Sequence, residues 1–272
     1  MKGEGFLSRN IAHLTQALES VIFAENMARA PGLLQGLDPR VKMATFLLFI
    51  VTVGLARSLA TLAIIFALIL VLVWLSRVPL LFFLKRVLFF VPVFAVVIAI
   101  PALFITPGDT LIAIAGNIGI TQQGARAAGL LVLRVTDSLS LGVLLILTTT
   151  WTNLLMALRW FRLPPLVVAT IGMTYRYIFL LLHNANAMFL ARRSRTVGGF
   201  SGGENRRWLA RALTTTLAKS QHLSEEVYLA MLSRGYRGEV LALSSFSLRR
   251  RDIFWAAFAL TAIVLLLWSN SL

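Results

Sequence analysis

The chain has 272 residues, is 58% hydrophobic and has a mean hydropathy of +0.82, above what soluble domains carry, with the excess in long runs. Its net charge of +15 would suit nucleic acid in a soluble protein, but the basic residues here cluster between apolar runs, so membrane topology accounts for most of them and no nucleic-acid partner is implied. With no cysteine, the chain excludes disulfides and thiolate metal sites.

The first stretch, MKGEGFLSRNIAHL, has neither a continuous apolar core nor a small-residue cleavage site, so no signal peptide is expected. Residues 1–36 predict one or two interfacial helices with a loop at Pro31-Gly32. Asp38 then suits an N-cap and Pro39 the first helical position, with Arg40 and Lys42 marking the membrane rim. Spans are expected at about Val41–Ala56, Ser58–Leu75, Val87–Ile105, Ala127–Thr150 and Ile253–Trp268. Pro92 and Pro101 are placed to kink the third. Arg77, Lys85 and Arg86 read as a basic loop, Thr106-Pro107-Gly108-Asp109 as a turn, and Leu111–Ile120 as a short apolar stretch.

Charge orients these spans. Residues 1–42 carry five basic residues, 76–86 three and 151–251 fifteen, whereas the opposing loops hold Arg57 alone and then none between 106 and 121. Five spans with a cytoplasmic N-terminus and an outside C-terminus satisfy the positive-inside rule at every loop. The expected organisation is an N-terminal interfacial segment (1–40), transmembrane helices one to four (41–150), a cytoplasmic-side domain (151–250) and a last span (251–272), in a multi-pass protein of the cell (inner) membrane.

Within the cytoplasmic-side domain the pattern predicts two long helices. The first runs from about Pro165 to Ser194-Arg195-Thr196, where VGGFSGG breaks it, since glycines at that density lose too much backbone entropy in a helix. The second runs from about Glu204 to Ser233-Arg234-Gly235, with Gly235 and Gly238 as its stop. Arg206, Arg207, Arg211, Lys219, His222, Glu225 and Glu226 keep the second helix out of the bilayer core. Its leucines and Trp208 spread widely around it, which fits an element lying against protein or at the membrane face.

Reaction chemistry has little support. His13, His183 and His222 are far apart and lack ligand spacing. Arg134 and Asp137, at i and i+3 in the fourth span, read either as a functional pair or as a structural pair orienting helices. Phe200-Ser201-Gly202-Gly203-Glu204 looks like the signature loop of an ABC ATPase. The chain lacks a phosphate-binding loop, and a bend whose Glu204 favours the next helix start accounts for the same residues. No nucleophile–base arrangement stands out.

Positive-inside charge and helix-dipole complementation account for basic residues near helix ends. They leave unexplained the similar small-Arg-small tripeptides at Ser194-Arg195-Thr196 and Ser233-Arg234-Gly235. Small flanks let a guanidinium enter a groove and fork onto carboxylates, so docking to a partner and plain topology charge both stand.

These residues carry a resemblance. Leu37-Asp38-Pro39-Arg40-Val41-Lys42, Met173-Thr174-Tyr175-Arg176-Tyr177 and the two tripeptides resemble the transmembrane T component of energy-coupling factor (ECF) transporters, over nearly the whole chain. The family's pattern at each tip is close to Ala-Arg-Gly. The first tip departs at both flanks, and Arg193 is a rival for its arginine. The resemblance implies an all-α membrane protein of about five transmembrane helices plus a coupling domain of long crossed helices. Its implied partners are two ABC ATPase subunits, each gripping one arginine tip, a substrate-binding membrane subunit packed on the coupling helices, and the lipid bilayer. It implies ATPase coupling at Ser194, Arg195, Thr196, Ser233, Arg234 and Gly235, with Arg193, Arg176, Asp38, Pro39 and Arg40 as secondary candidates. It implies no enzyme activity, cofactor or metal site in this chain. Residues 101–109 and 191–195 look more like the cobalt-transport (CbiQ-like) branch than the vitamin branch, with nickel close behind. The rivals are a membrane-integral enzyme with a basic cytoplasmic-face site and the complete permease of an ordinary ABC importer.

Overall fold

The computed structural model describes residues 23–91, 95, 97–105, 110–115, 118–195, 202–237 and 248–271. The elements in order are α1 (described over 23–29), α2 (Pro39–Leu55), α3 (Leu59–Leu75), α4 (Leu80–Val91), α5 (Val97–Ile105), β1 (Thr110–Ala115), β2 (Ile118–Thr121), α6 (Gln122–Thr148), α7 (Trp151–Trp160), α8 (Pro165–Arg195), α9 (Gly202–Ser233) and α10 (Arg250–Ser271). The protein is an all-α membrane protein apart from the β1–β2 pair, an antiparallel hairpin joining Thr110 to Thr121 and Ala115 to Ile118. Among the described residues α6, α8 and α10 are long and apolar enough to cross a bilayer, and α3 is a shorter apolar helix.

The chain divides into two compact units. One comprises Ala24–Ala157 with Phe246–Leu272, and the other is built on Leu158–Ser245. In the first, α6 packs against α2, α3, α4 and α5, while α10 packs on α2 and α3. Leu141, Leu144 and Leu147 of α6 share one core with Phe46, Phe49 and Val53 of α2 and Ile65 and Ile69 of α3. Apolar burial gives little drive between helices in lipid, so interhelical hydrogen bonds and close packing matter more. Trp255 Nε1 donates to Thr45 Oγ1 at 3.1 Å, tying α10 to α2. Asp252 joins two helix starts: its Oδ2 accepts from the Arg249 N–H at 2.7 Å and its Oδ1 from the Asp38 N–H at 2.7 Å. Asp38 caps α2 by accepting from the Arg40 N–H at 2.9 Å, with Pro39 in the first turn.

The second unit is a pair of long helices joined end to start. Near the link, Phe189 packs against Trp208 with ring centroids 4.7 Å apart, and Thr216 lies against Met188 Sδ at 3.9 Å. Farther from the link the helices border a groove of about 520 Å³ that includes Thr170, Met173 and Tyr177 of α8 and Val227, Tyr228 and Met231 of α9. No residue of α8 is fully buried.

Several expectations need correction. The third span starts at Leu80 and is described as two helices, α4 and α5; the expected kink at Pro92 lies, with residues 93, 94 and 96, outside the described residues. Lys85 and Arg86 are therefore helical and not in a loop. Pro79 precedes the first turn, and Phe83 and Val87 one turn apart bury one face while Lys85 stays exposed. The fourth span starts earlier, at Gln122, because Thr121 Oγ1 caps it by accepting from the Gly124 N–H at 3.0 Å. The stretch before it is a hairpin. The second of the two long helices, α9, starts earlier than expected and includes Gly202 and Gly203.

Arg134 and Asp137 do not pair. Arg134 Nη2 donates across to the Ala56 carbonyl at 2.8 Å, at the end of α2, and Asp137 is fully buried with no hydrogen-bond partner at either carboxylate oxygen among the described residues. The orphan carbonyl at a helix end gives the guanidinium a competing acceptor. Lys42 is not at an exposed rim either: its side chain is fully buried, and Nζ donates to the Thr148 carbonyl at 2.8 Å and to Thr149 Oγ1 at 2.9 Å. The ammonium thus sits on the C-terminal end of α6, where the helix dipole favours a cation.

Candidate functional site

The candidate site is the pair of arginine tips on α8 and α9. The end of α9 is set by its backbone. Gly235 has φ +80°, a left-handed conformation that costs an L side chain energy and glycine nothing. That turn lets the Gly235 N–H donate to the Leu232 carbonyl at 3.0 Å and the Tyr236 N–H to the Met231 carbonyl at 3.0 Å, the paired bonds of a Schellman cap. Tyr236 and Met231 also both line the groove between α8 and α9. Arg234 is consequently the C-cap residue, exposed at the helix end.

The end of α8 is built alike over its last turn. Ser194 Oγ donates to the Ala191 carbonyl at 3.0 Å, and Ser233 Oγ donates to the Ala230 carbonyl at 3.0 Å. Both tips therefore read Ala-x-x-Ser-Arg, with the serine hydroxyl turned back onto its own helix and the arginine following it. Arg195 is the last residue of α8 and is exposed, as is Arg193. Thr196 and the ABC-signature-like Phe200-Ser201 lie outside the described residues.

Arg192, between these, has a different task. Its guanidinium carbon lies 4.5 Å from the centroid of the Trp208 ring, and Nη2 donates to Asn205 Oδ1 at 2.9 Å. It fastens the end of α8 to the start of α9 and holds the first tip against that helix. Sequence reasoning passed it over; the signal was the Trp208 and Asn205 pair opening the next helix, one turn apart on one face.

The two tips are not brought together. Asn205, bonded to the first tip, is 29 residues from Arg234, about 44 Å of helix. Exposed Arg176 lies 19 residues before Arg195 on α8, about 28 Å of helix from that tip. Asp38, Pro39 and Arg40 belong to the other unit, where Asp38 and Pro39 are buried and start α2. Among the described residues no three His, Asp or Glu side chains gather as a metal site.

Residues 32–245 match the family model of CbiQ, described as a cobalt transport protein. The chain is 36% identical over 262 residues to an uncharacterized protein of Methanocaldococcus jannaschii, covering 95% of this chain and 90% of that one. It is 30% identical over 217 residues to the energy-coupling factor transporter transmembrane protein EcfT of Listeria innocua, covering 75% and 81%. It is 29% identical over 157 residues to the cobalt transport protein CbiQ of Rhodobacter capsulatus, covering 56% and 63%.

Proposed function

The chain belongs to the CbiQ family of transmembrane T components of energy-coupling factor transporters, and from that premise we propose how it couples and what it helps to import. Two ABC ATPase subunits each hold one arginine tip, Arg195 on α8 and Arg234 on α9. Their movement on ATP binding and hydrolysis passes along α8 and α9 to a separate membrane subunit that binds the substrate. The observation that carries this reading is the likeness of two tips set far apart. Each presents an arginine directly after a serine tied back to its own helix, and about 44 Å of helix lies between Asn205, at the first tip, and the second. That spacing serves two separate grips better than one shared binding site. Arginine's planar fork suits carboxylates lining a groove.

Residues 151–250 form the coupling domain on the cytoplasmic side, the N-terminus lies inside and the C-terminus outside. The fifteen basic residues of 151–251 support that placement. Although α8 is long and apolar enough to span, Arg176 interrupts its apolar stretch and Arg192, Arg193 and Arg195 crowd its last turn. It lies at the cytoplasmic face. Cobalt ion is the proposed cargo, in keeping with the family description, and nickel or a vitamin is the alternative. The cargo is bound by the substrate subunit, and ATP hydrolysis belongs to the ATPases.

Pull-down of the full chain in mild detergent tests this reading. Stoichiometric ATPase and small membrane subunits are expected, and the purified chain alone should neither hydrolyse ATP nor retain cobalt. A chain that purifies alone, with phosphatase or transferase turnover, would overturn it in favour of an enzyme.

A further inference from the structure

A second groove lies in the other unit, between the turn after α1, the C-terminal half of α3 and the N-terminal half of α10. Its volume is about 650 Å³, within the range of small-molecule pockets. Its walls are apolar, and Leu33, Val71, Leu75, Phe254 and Phe258 among them are exposed. The charged side chain in the lining is Arg251.

One wall is pinned in place. Gln35 Nε2 donates to the Ser76 carbonyl at 3.0 Å, fixing the turn against the end of α3. Gly32 sits so close to that carbonyl that a Cβ would lie 2.7 Å from it. The turn is therefore held against the end of α3 and forms one wall of the groove.

The charge at the mouth is unbalanced. Arg249, Arg250 and Arg251 occupy the start of α10, the positive end of the helix dipole, where cations are disfavoured. The nearby acid, Asp252, spends both oxygens on backbone N–H groups. None of the three guanidinium groups has a carboxylate partner among the described residues. An apolar groove running from a membrane-facing helix pair to an arginine at the interface has the chemistry of one occupant: a chain of hydrocarbon carrying an anionic head.

We propose that this groove binds an anionic phospholipid, with an acyl chain between α3 and α10 and the headgroup phosphate at Arg251. The site depends on the membrane placement of this unit and not on the coupling role of the arginine tips. Arg251 reads the headgroup and the apolar walls hold the tail. Arg250, which does not line the groove, contributes only general surface charge.

The test is native mass spectrometry of the delipidated full chain in detergent, offered phosphatidylglycerol and phosphatidylcholine in equal amounts. The wild-type chain should retain one lipid and favour phosphatidylglycerol by about fivefold, the preference one interfacial arginine supplies. Arg251→Ala should bring that ratio to about one while Arg250→Ala leaves it in place. Gly36→Leu should lose the retained lipid altogether, since Gly36 lines the groove and a Cβ there meets only ordinary contacts. Millimolar inorganic phosphate should not displace the lipid. Equal retention of the two lipids by the wild type, an unchanged ratio in Arg251→Ala, unchanged retention in Gly36→Leu, or displacement by phosphate would each overturn the proposal. So would a photocrosslinker at Phe258 that labels a partner protein instead of lipid.

Discussion

Replacing Gly235 by alanine isolates the geometry of the second tip from its charge. Among the described residues no atom lies within 4 Å of where a Cβ would sit, so the substitution adds no clash with them. Its cost is the left-handed backbone itself, about 1–2 kcal/mol for an L residue at φ +80°. That penalty falls on the two cap bonds, from Gly235 to Leu232 and from Tyr236 to Met231, because an alanine relieves the strain by abandoning them. The population of the capped tip relative to the frayed one should fall by about 5–30-fold. If docking requires the capped form, the apparent affinity for the ATPase falls with that population. Asparagine tolerates this conformation better and should retain most of the binding. The assay is titration of purified ATPase onto the chain in nanodiscs, with thermal melting as a check on folding. Melting should be nearly unchanged, since the cap touches no core residue. Equal ATPase affinity for the glycine, alanine and asparagine forms would refute the claim that the cap presents Arg234.

Three further outcomes follow from other parts of the structure. Lys42→Met leaves the buried Thr148 carbonyl and Thr149 hydroxyl without their donor and should destabilise the chain by about 1–3 kcal/mol, the cost of an unsatisfied buried acceptor; thermal melting in detergent should show a lower midpoint, and an unchanged one would mean the bonds are not made. Asp252→Ala leaves the N–H groups of Asp38 and Arg249 without their acceptor and should cost about 1–3 kcal/mol, chiefly at the buried Asp38 N–H, whereas Asp252→Asn keeps one acceptor and should cost less; equal melting of the two variants would contradict the double cap. A cysteine at Ser201 should react with an impermeant reagent only after the cytoplasmic face is opened, and one at Asp109 without opening, because the native chain has no cysteine to interfere; the reverse labelling would defeat the five-span orientation.

The parts of the fold that were legible in the sequence are those governed by local chemistry. Asp38-Pro39 announced a helix start and makes one, and the glycine after Ser233-Arg234 announced a helix stop that the backbone supplies. What stayed hidden depends on acceptors contributed from elsewhere in the chain. Lys42 reads as a rim charge until Thr148 and Thr149, more than a hundred residues later, surround its ammonium. Arg134 reads as a partner for Asp137 at i+3 until the Ala56 carbonyl takes its guanidinium. The helical start at Leu80 was masked by the charges of Lys85 and Arg86, which one amphipathic face accommodates. At the candidate site, the repeated Ala-x-x-Ser-Arg was present to be read, but its meaning depends on the serine bonds made only in the folded helices.

The central claim is that Arg195 and Arg234 receive the movement of the ATPases, and substitution of these two residues tests it most directly. The measurement is cobalt uptake in cells together with the yield of co-purified ATPase. Truncating one side of a buried charged pair costs about 2–5 kcal/mol, so Arg195→Ala and Arg234→Ala should each lower uptake and ATPase yield, with the double variant worse than either. Arg234→Lys should be partly active, since lysine keeps the charge and loses the fork. Lys219→Ala, exposed at the middle of α9 and distant from both tips, should behave as the wild type. Full uptake with full ATPase yield in both tip variants would contradict the coupling role and leave these arginines as topology charges.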